Sequence, residues 1–261
     1  MSVSIEVRET GKPAAPSFGR RCRLLYLIVA IMMIMSVGSV VMLLVGVLTL
    51  FRARRFYREV MARWLGRAIL RVAGVKLIVH QDGPLPQTQS VYISNHTSSL
   101  DVFILIALGL PNARFFLSGF LRKHPPIAIV GYMTGIFWTV AQSMPERRTK
   151  IFQRAERVLR GTGESVYLSP EGERVTTGEV GHFNKGAFHL ATNLGAPLLP
   201  FYIAIPREVD PGMGLNVQPG VVHVYFRPAI PTSDWKIEDL DRNRQQVRDY
   251  FIELHEELKP Q

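Results

Sequence analysis

Twenty-eight consecutive uncharged residues, Leu24 to Phe51, dominate the first third of the chain. The run exceeds the roughly 20 apolar residues that span a bilayer. It is also far longer than the core of about 7–15 residues in a secretory signal, so it is expected to be retained. As one straight helix it would measure about 42 Å, against a hydrocarbon core of roughly 30 Å. A tilted single span absorbs the excess in one way. A re-entrant hairpin bending near Val37-Gly38-Ser39 absorbs it in another, and the pattern leaves both open. Next, Phe56, Val60, Trp64 and their neighbours recur at three- and four-residue steps as far as Val72, with Arg63, Arg67 and Arg71 on a different face. This predicts an amphipathic helix in the membrane interface with its arginines towards lipid headgroups.

From Val75 onward short β-rich runs alternate with helical stretches. Strands are expected at 75–80, 91–94, 114–117, 136–140, 165–168, 197–205 and 221–226. Helices are expected at 99–108, 122–133, 147–160, 185–194 and 237–258, the third and last with clear apolar stripes. Alternating strands and helices imply an α/β fold, a layered mixed sheet flanked by helices. The chain therefore divides into a mobile tail at 1–19, a membrane anchor with its interfacial helix at 20–74, and a folded domain at 75–261.

Charge sharpens the membrane reading. The formal net charge is +10, and Arg20–Lys76 holds eleven Lys or Arg against one acid, Glu59. The remaining twenty basic and twenty acidic residues cancel, so the whole excess sits beside the hydrophobic run. Basic residues near an anionic bilayer contribute roughly 1 kcal/mol each. A nucleic-acid binder instead carries its basic face on the folded domain, so no nucleic-acid partner is expected. Basic flanks favour the cytoplasmic side. The single cysteine, Cys22, excludes an intramolecular disulfide.

Two motifs carry the chemistry. Asn95-His96-Thr97-Ser98-Ser99-Leu100-Asp101 follows a strand and opens a helix. An imidazole with an unperturbed pKa near 6.5 accepts a hydroxyl proton at neutral pH. A carboxylate on its other nitrogen fixes the tautomer and stabilises the charged ring. Five helical residues turn through about 500°, which would leave His96 and Asp101 roughly 140° apart. They meet only if His96 lies before the helix, with Thr97, Ser98 or Ser99 capping its start. The second motif, Ser169-Pro170-Glu171-Gly172-Glu173-Arg174, sets an arginine beside a glycine turn. The histidines show no zinc-like pairing, so no metal or bound cofactor is expected.

In this order, and with Lys185-Gly186-Ala187 and the strand Ala196–Phe201 behind them, these motifs resemble the membrane-bound glycerolipid acyltransferases. That family includes the 1-acylglycerol-3-phosphate (lysophosphatidic acid) O-acyltransferases, marked by His-x-x-x-x-Asp and Glu-Gly-x-Arg blocks. The resemblance covers roughly residues 55–230. It implies acyl transfer from acyl-CoA or an acyl carrier protein to a lysophospholipid hydroxyl, most directly 1-acylglycerol-3-phosphate giving phosphatidic acid. His96 and Asp101 become the catalytic pair. Glu171, Gly172, Arg174 and Lys185 become the acceptor-binding group, with backbone amides near Glu171-Gly172 at the oxyanion. It also places the catalytic domain on the cytoplasmic side of a membrane, the inner membrane in a bacterium. The chain departs from the family pattern at Phe116–Phe120, which lacks a usual lysine, at Gly135–Ala141, which lacks a usual arginine, and at Glu173 in place of a common threonine. Fewer cations leave another lysolipid or an amino-acid lipid open as acceptor. A non-catalytic lipid-binding protein, and a hydrolase using Ser94 or Ser98 without the Gly-x-Ser-x-Gly elbow, complete the alternatives.

Overall fold

The computed structural model describes residues 18–259 except Met213 and Leu215; the tail expected at 1–19 lies almost wholly outside them. The long apolar run forms one continuous helix, α1 (Phe18–Leu48), with no bend at Val37-Gly38-Ser39. Gly38 serves packing instead, since a Cβ there would collide with the Leu65 side chain. The chain reverses later, at Leu50 and Phe51, both in the left-handed region with φ of 53° and 57°. Of the two readings the pattern left open, the bend at Gly38 is absent: α1 is unbroken, and the reversal joins it to the following helix. That helix opens as α2 (Arg54–Phe56), passes through a π-helical stretch (Tyr57–Ala62) and continues as α3 (Arg63–Ala73). The Arg23 guanidinium donates to the carbonyls of Ala73 and Val217, each at 2.8 Å, and fastens the start of α1 to the end of α3.

One side of α1 is buried through Leu27, Ala30, Ile31, Met35 and Met42 against α3 and α5 (Pro125–Thr134). The other side leaves Leu25, Val29, Met33, Val37, Val40, Leu44 and Val47 exposed. Trp64 and Val60 from the second arm extend this apolar surface. α1 is long and apolar enough to cross a membrane. Isolated apolar residues on a surface are ordinary, whereas a continuous stripe of this extent marks an interaction with lipid or protein.

The remaining elements alternate as the apolar pattern requires. The strands are β1 (Val75–His80), β2 (Val91–Ser94), β3 (Ala113–Ser118), β4 (Phe137–Thr139), β5 (Ser165–Tyr167), β6 (Leu198–Ala204) and β7 (Gly220–Phe226). Between and after them run α4 (Asp101–Leu108), α6 (Pro145–Thr162), α7 (Gly186–Leu194) and α8 (Leu240–Leu258). Helix α4 starts two residues later than expected. Helix α5 starts at Pro125 because proline suits a first helical turn, and the preceding Gly119–Lys123 forms a 3₁₀ turn. The seven strands form one sheet in the order β1-β7-β6-β2-β5-β3-β4, parallel throughout except for the β6–β7 pair. Helices α3 and α4 cover one face, with Leu70, Ile104 and Leu105 over Tyr92 and Phe201. Helices α6, α7 and α8 cover the other, through Leu159, Phe188 and Phe251. Central strands β2 and β6 are buried along their whole length, which is why they read as unbroken apolar runs.

This topology positions the site. The chain leaves β2 for α4 on one face and leaves the adjacent β5 for α7 on the other. Crevices beyond the carboxyl ends of strands form at such reversals. The His96 and Arg174 segments follow directly from those two strand ends.

A buried ionic cluster secures the second arm of the hairpin to the domain. Arg58 Nη2 lies 2.6 Å from Glu164 Oε1 and Arg114 Nε lies 2.5 Å from Glu164 Oε2, while the Thr162 hydroxyl donates to Oε2 at 2.9 Å. Burial pushes the Glu164 carboxyl up, but the Arg114 and Arg58 guanidiniums outweigh it and hold the group below the usual carboxylate range. A depressed carboxyl stabilises the fold above its unfolded pKa of about 4.3, and this contribution is lost as pH falls through the lower folded value. Glu164→Ala leaves two buried guanidiniums uncompensated. It is expected to cost about 3–5 kcal/mol, read as a lower denaturation midpoint at pH 7 and a smaller difference from the wild type near pH 3.

Candidate active site

The site begins with Asn95, immediately past β2 and buried. Its amide pairs with the backbone of β6 in both directions, Nδ2 donating to Ile203 O at 3.0 Å and Oδ1 accepting from Ile203 N at 2.8 Å. A side chain thus continues the β2–β6 ladder by one step and fixes where the chain turns away. The next residue, His96, is held through its backbone. Its N–H donates to Glu171 Oε2 at 2.7 Å, and its carbonyl accepts from Val175 N at 2.8 Å.

His96 through Leu100 are non-helical, and α4 starts at Asp101. The geometric condition for the pair to meet is satisfied: His96 Nδ1 lies 2.7 Å from Asp101 Oδ2. The same oxygen accepts the N–H groups of Thr97 and Ser98, each at 3.0 Å. The start of α4 has no side-chain cap; instead the Ser98 hydroxyl accepts from Leu100 N at 2.8 Å. Asp101 is 1% exposed and sits in the first turn of α4, where the partial positive charge of the helix end favours a carboxylate. A carboxylate can only accept, so the proton of the His96–Asp101 bond resides on Nδ1 and the lone pair on Nε2. Nε2 has no hydrogen-bond partner among the described residues, and the side chain is 27% exposed.

Arg174 reaches over this turn, its Nη1 donating to the Ser99 hydroxyl. The structure thus brings His96, Asp101 and Arg174 together from two segments about seventy-five positions apart. Glu171 arrives with them but faces inward. Its two carboxylate oxygens accept from His96 N at 2.7 Å and Gly181 N at 2.9 Å, and the residue is buried. Glu171, expected in the acceptor-binding group, thus has both carboxylate oxygens engaged by backbone N–H groups. Gly172 has φ of +72°, and its N–H donates to Ser169 O at 3.2 Å, so that amide is already engaged rather than aimed at an oxyanion. A Cβ on Gly172 would lie 2.8 Å from Asn184 Nδ2, the group that donates to the Pro170 and Glu171 carbonyls. Lys185 precedes α7, but its Nζ lies 2.8 Å from Asp241 Oδ2 on α8. It lines a separate hollow between α6 and α7 together with Arg148 and His189. The second cation expected beside Arg174 is therefore paired elsewhere.

Two contributors were not foreseen from the sequence. Asp210, buried and 112 residues from Ser98, accepts from the Ser98 hydroxyl through Oδ2 and from Gly212 N through Oδ1 at 2.8 Å. Asn184 staples the glycine turn as described. The sequence signal for Asp210 was a Pro-Gly loop after β6, which marks a turn but not its partner.

Burial pushes the Glu171 carboxyl up, and its two backbone N–H bonds only partly offset this. A raised carboxyl holds its proton more tightly in the folded state. Ionised Glu171 therefore works against stability at neutral pH, and the cost fades as pH falls through the raised value. Glu171→Gln removes that charge but turns an NH₂ towards one of the two amides. The expected outcome is hydrogen exchange of the 95–101 segment at least about tenfold faster, roughly 1.4 kcal/mol of lost local protection, with global stability nearly unchanged. Unaltered exchange there would show that Glu171 does not hold the turn.

Residues 76–204 match the family model described as Acyltransferase. A 1-acyl-sn-glycerol-3-phosphate acyltransferase of Pseudomonas aeruginosa is 27% identical over 216 residues, covering 80% of this chain and 81% of that protein. One from Limnanthes douglasii is 25% identical over 195 residues, covering 72% and 66%. The chain spans less than two thirds of the length of the first curated relatives it matches, all from plants. The crystal structure of the 1-acyl-sn-glycerophosphate acyltransferase PlsC from Thermotoga maritima superposes with a TM-score of 0.71 over 90% of this chain and 96% of that one, at 21% identity. That likeness concerns the fold. On the matched residues, the ordered motifs and these relatives, residues 76–204 carry a domain of the acyltransferase family.

Proposed function

We propose that the protein transfers a fatty acyl group from an acyl thioester to the free hydroxyl of a lysophospholipid, with His96 as general base. The preferred acceptor is 1-acylglycerol-3-phosphate, giving phosphatidic acid. The observation that carries this reading is the His96–Asp101 pair, with Nε2 free beside a cation that approaches from another segment. In the reaction Nε2 takes the acceptor hydroxyl proton and the alkoxide attacks the thioester carbonyl. The C–S bond breaks, and the imidazolium returns the proton to the departing thiolate of coenzyme A or an acyl carrier protein. Asp101 stabilises the imidazolium while the proton is in transit. Arg174 presents a planar guanidinium suited to bidentate contact with a phosphate.

An apolar cavity of about 340 Å³ opens among α1, α3, α4 and α5, with Met35, Ile69, Phe103 and Ile106 in its walls and Ser99 at its margin. Ser99 is the residue that Arg174 touches. An acyl chain entering here from the bilayer would reach Ser99, three residues from the histidine, which supports a lipid substrate. The exposed stripe of α1 supports a domain 75–261 held at the membrane by residues 20–74. The basic flanks of the apolar run favour the cytoplasmic side, at the inner membrane in a bacterium. The alternative acceptors retain a basis in Glu173 beside Arg174 and in the Lys185–Asp241 pair, since both reduce the positive charge available to a phosphomonoester.

The test is acyl transfer by purified protein in lipid, offered acyl-CoA or acyl carrier protein with lysophosphatidic acid and a panel of other lysolipids. His96→Ala is expected to lose about a hundredfold or more in kcat. Arg174→Gln is expected to raise KM for lysophosphatidic acid more than for a lysolipid with a zwitterionic headgroup. An active His96→Ala protein would defeat the mechanism, and turnover of a different lysolipid alone would replace the acceptor.

A further inference from the structure

A second hollow lies on the outer flank of α3, where it crosses β1 and the end of α4. It has a volume of about 660 Å³, and Arg63, Arg67, Arg71 and Lys76 all line it with no acidic residue in its wall. Its floor is apolar, including Leu77 and Phe226. Residues at four-residue steps advance only about 40° around a helix, so the three arginines form one stripe. Arg67, Arg71 and Lys76 are exposed, and none of the four cations forms an ion pair among the described residues. Arg63 Nε is buried without a hydrogen-bond partner. Burial, followed by the neighbouring Arg67 charge, holds the Arg63 guanidinium below its usual range. A cleft lined by cations alone raises the local concentration of anions.

We infer that this groove is a binding site for one anionic phospholipid, separate from the His96 centre, with the phosphate among the α3 arginines and Lys76 and an acyl chain along the apolar floor. The exposed Trp64 lies on α3 beside the arginine stripe, so an apolar ring stands next to the cations of the groove. This favours a lipid over a free anion: the phosphate and its chains would enter together from the bilayer plane. Arg54, Arg122 and Arg154 also line a hollow on the α5–α6 side without ion pairs among the described residues, but no guanidinium nitrogen there is buried without a partner, as Arg63 Nε is in the α3 groove.

The site is tested without any acyl donor, so the result does not depend on the acyl-transfer reading. Full-length protein in a non-ionic detergent is titrated with dioctanoyl-phosphatidylglycerol, dioctanoyl-phosphatidylcholine or inorganic phosphate, with binding followed by calorimetry and native mass spectrometry. Wild type is compared with Arg67→Gln/Arg71→Gln and with the charge-matched control Arg154→Gln/Arg157→Gln on α6. All four substituted positions are exposed, and melting curves check that both variants remain folded. The inference expects saturable phosphatidylglycerol binding weakened at least about tenfold by the α3 pair and less than about twofold by the α6 pair. Phosphatidylcholine and inorganic phosphate should each bind at least about tenfold more weakly than phosphatidylglycerol. Equal weakening by both pairs, no weakening by the α3 pair, or phosphate binding as tight as lipid would each overturn it.

Discussion

One oxygen atom organises the site. Asp101 Oδ2 receives His96 Nδ1 and the backbone N–H groups of Thr97 and Ser98, all within 3.0 Å. Hydrogen bonds to a charged acceptor contribute about 1.5–3 kcal/mol each, and more where water is excluded. The two backbone bonds demand a tight non-helical turn before α4, and that turn is what allows a histidine five positions upstream to swing back onto the carboxylate. Were helix to begin at His96, the two side chains would diverge. The arrangement therefore couples secondary structure to chemistry: the same atom that stops the helix from extending also sets the tautomer of the imidazole.

A turn this short cannot hold itself in place, and the sheet supplies the missing constraints from far along the chain. Asn95 is locked to Ile203 on β6, His96 N to Glu171 beyond β5, and Ser98 to Asp210 beyond β6. Each tie exists because β2 lies between β5 and β6. Two of these ties end on buried carboxylates that accept backbone or hydroxyl protons rather than pairing with cations. Arg174 forms no ion pair among the described residues and stays exposed. On the lipid side, the helical hairpin is fastened at one end by Arg23 and at the other by the Arg58–Glu164–Arg114 cluster. The apolar cavity beside Ser99 is thereby part of the folded body.

Much of this was legible in the sequence because it was carried by local pattern. The alternation of strands and helices predicted all seven strands to within about two residues, and the 140° argument required His96 to precede its helix. What stayed hidden depended on long-range partners. The uncharged run of α1 looks the same whether its helix crosses a bilayer alone, bends at Gly38 or lies along a domain. Only the packing of Gly38 on Leu65 shows that the glycine makes room for a side chain rather than a turn. Glu171 sits in a motif that suggests exposure, yet its neighbours Gly181 and His96 draw it inward. Lys185 precedes a helix as expected, but Asp241, distant in sequence, captures it. Asp210 carries no local signal that distinguishes a surface loop carboxylate from one buried against Ser98.

The most direct test of the central claim is the turnover of Asp101→Asn, measured under saturating donor and acceptor beside hydrogen exchange of the 95–101 segment. Asparagine retains an oxygen for the Thr97 and Ser98 amides, so the turn should hold. Its neutral amide cannot stabilise an imidazolium as the carboxylate does. The account predicts a kcat lower by roughly 10²–10⁴ with exchange protection largely kept. A variant that keeps its turn and more than about a tenth of wild-type kcat would contradict the claim that Asp101 makes His96 the base.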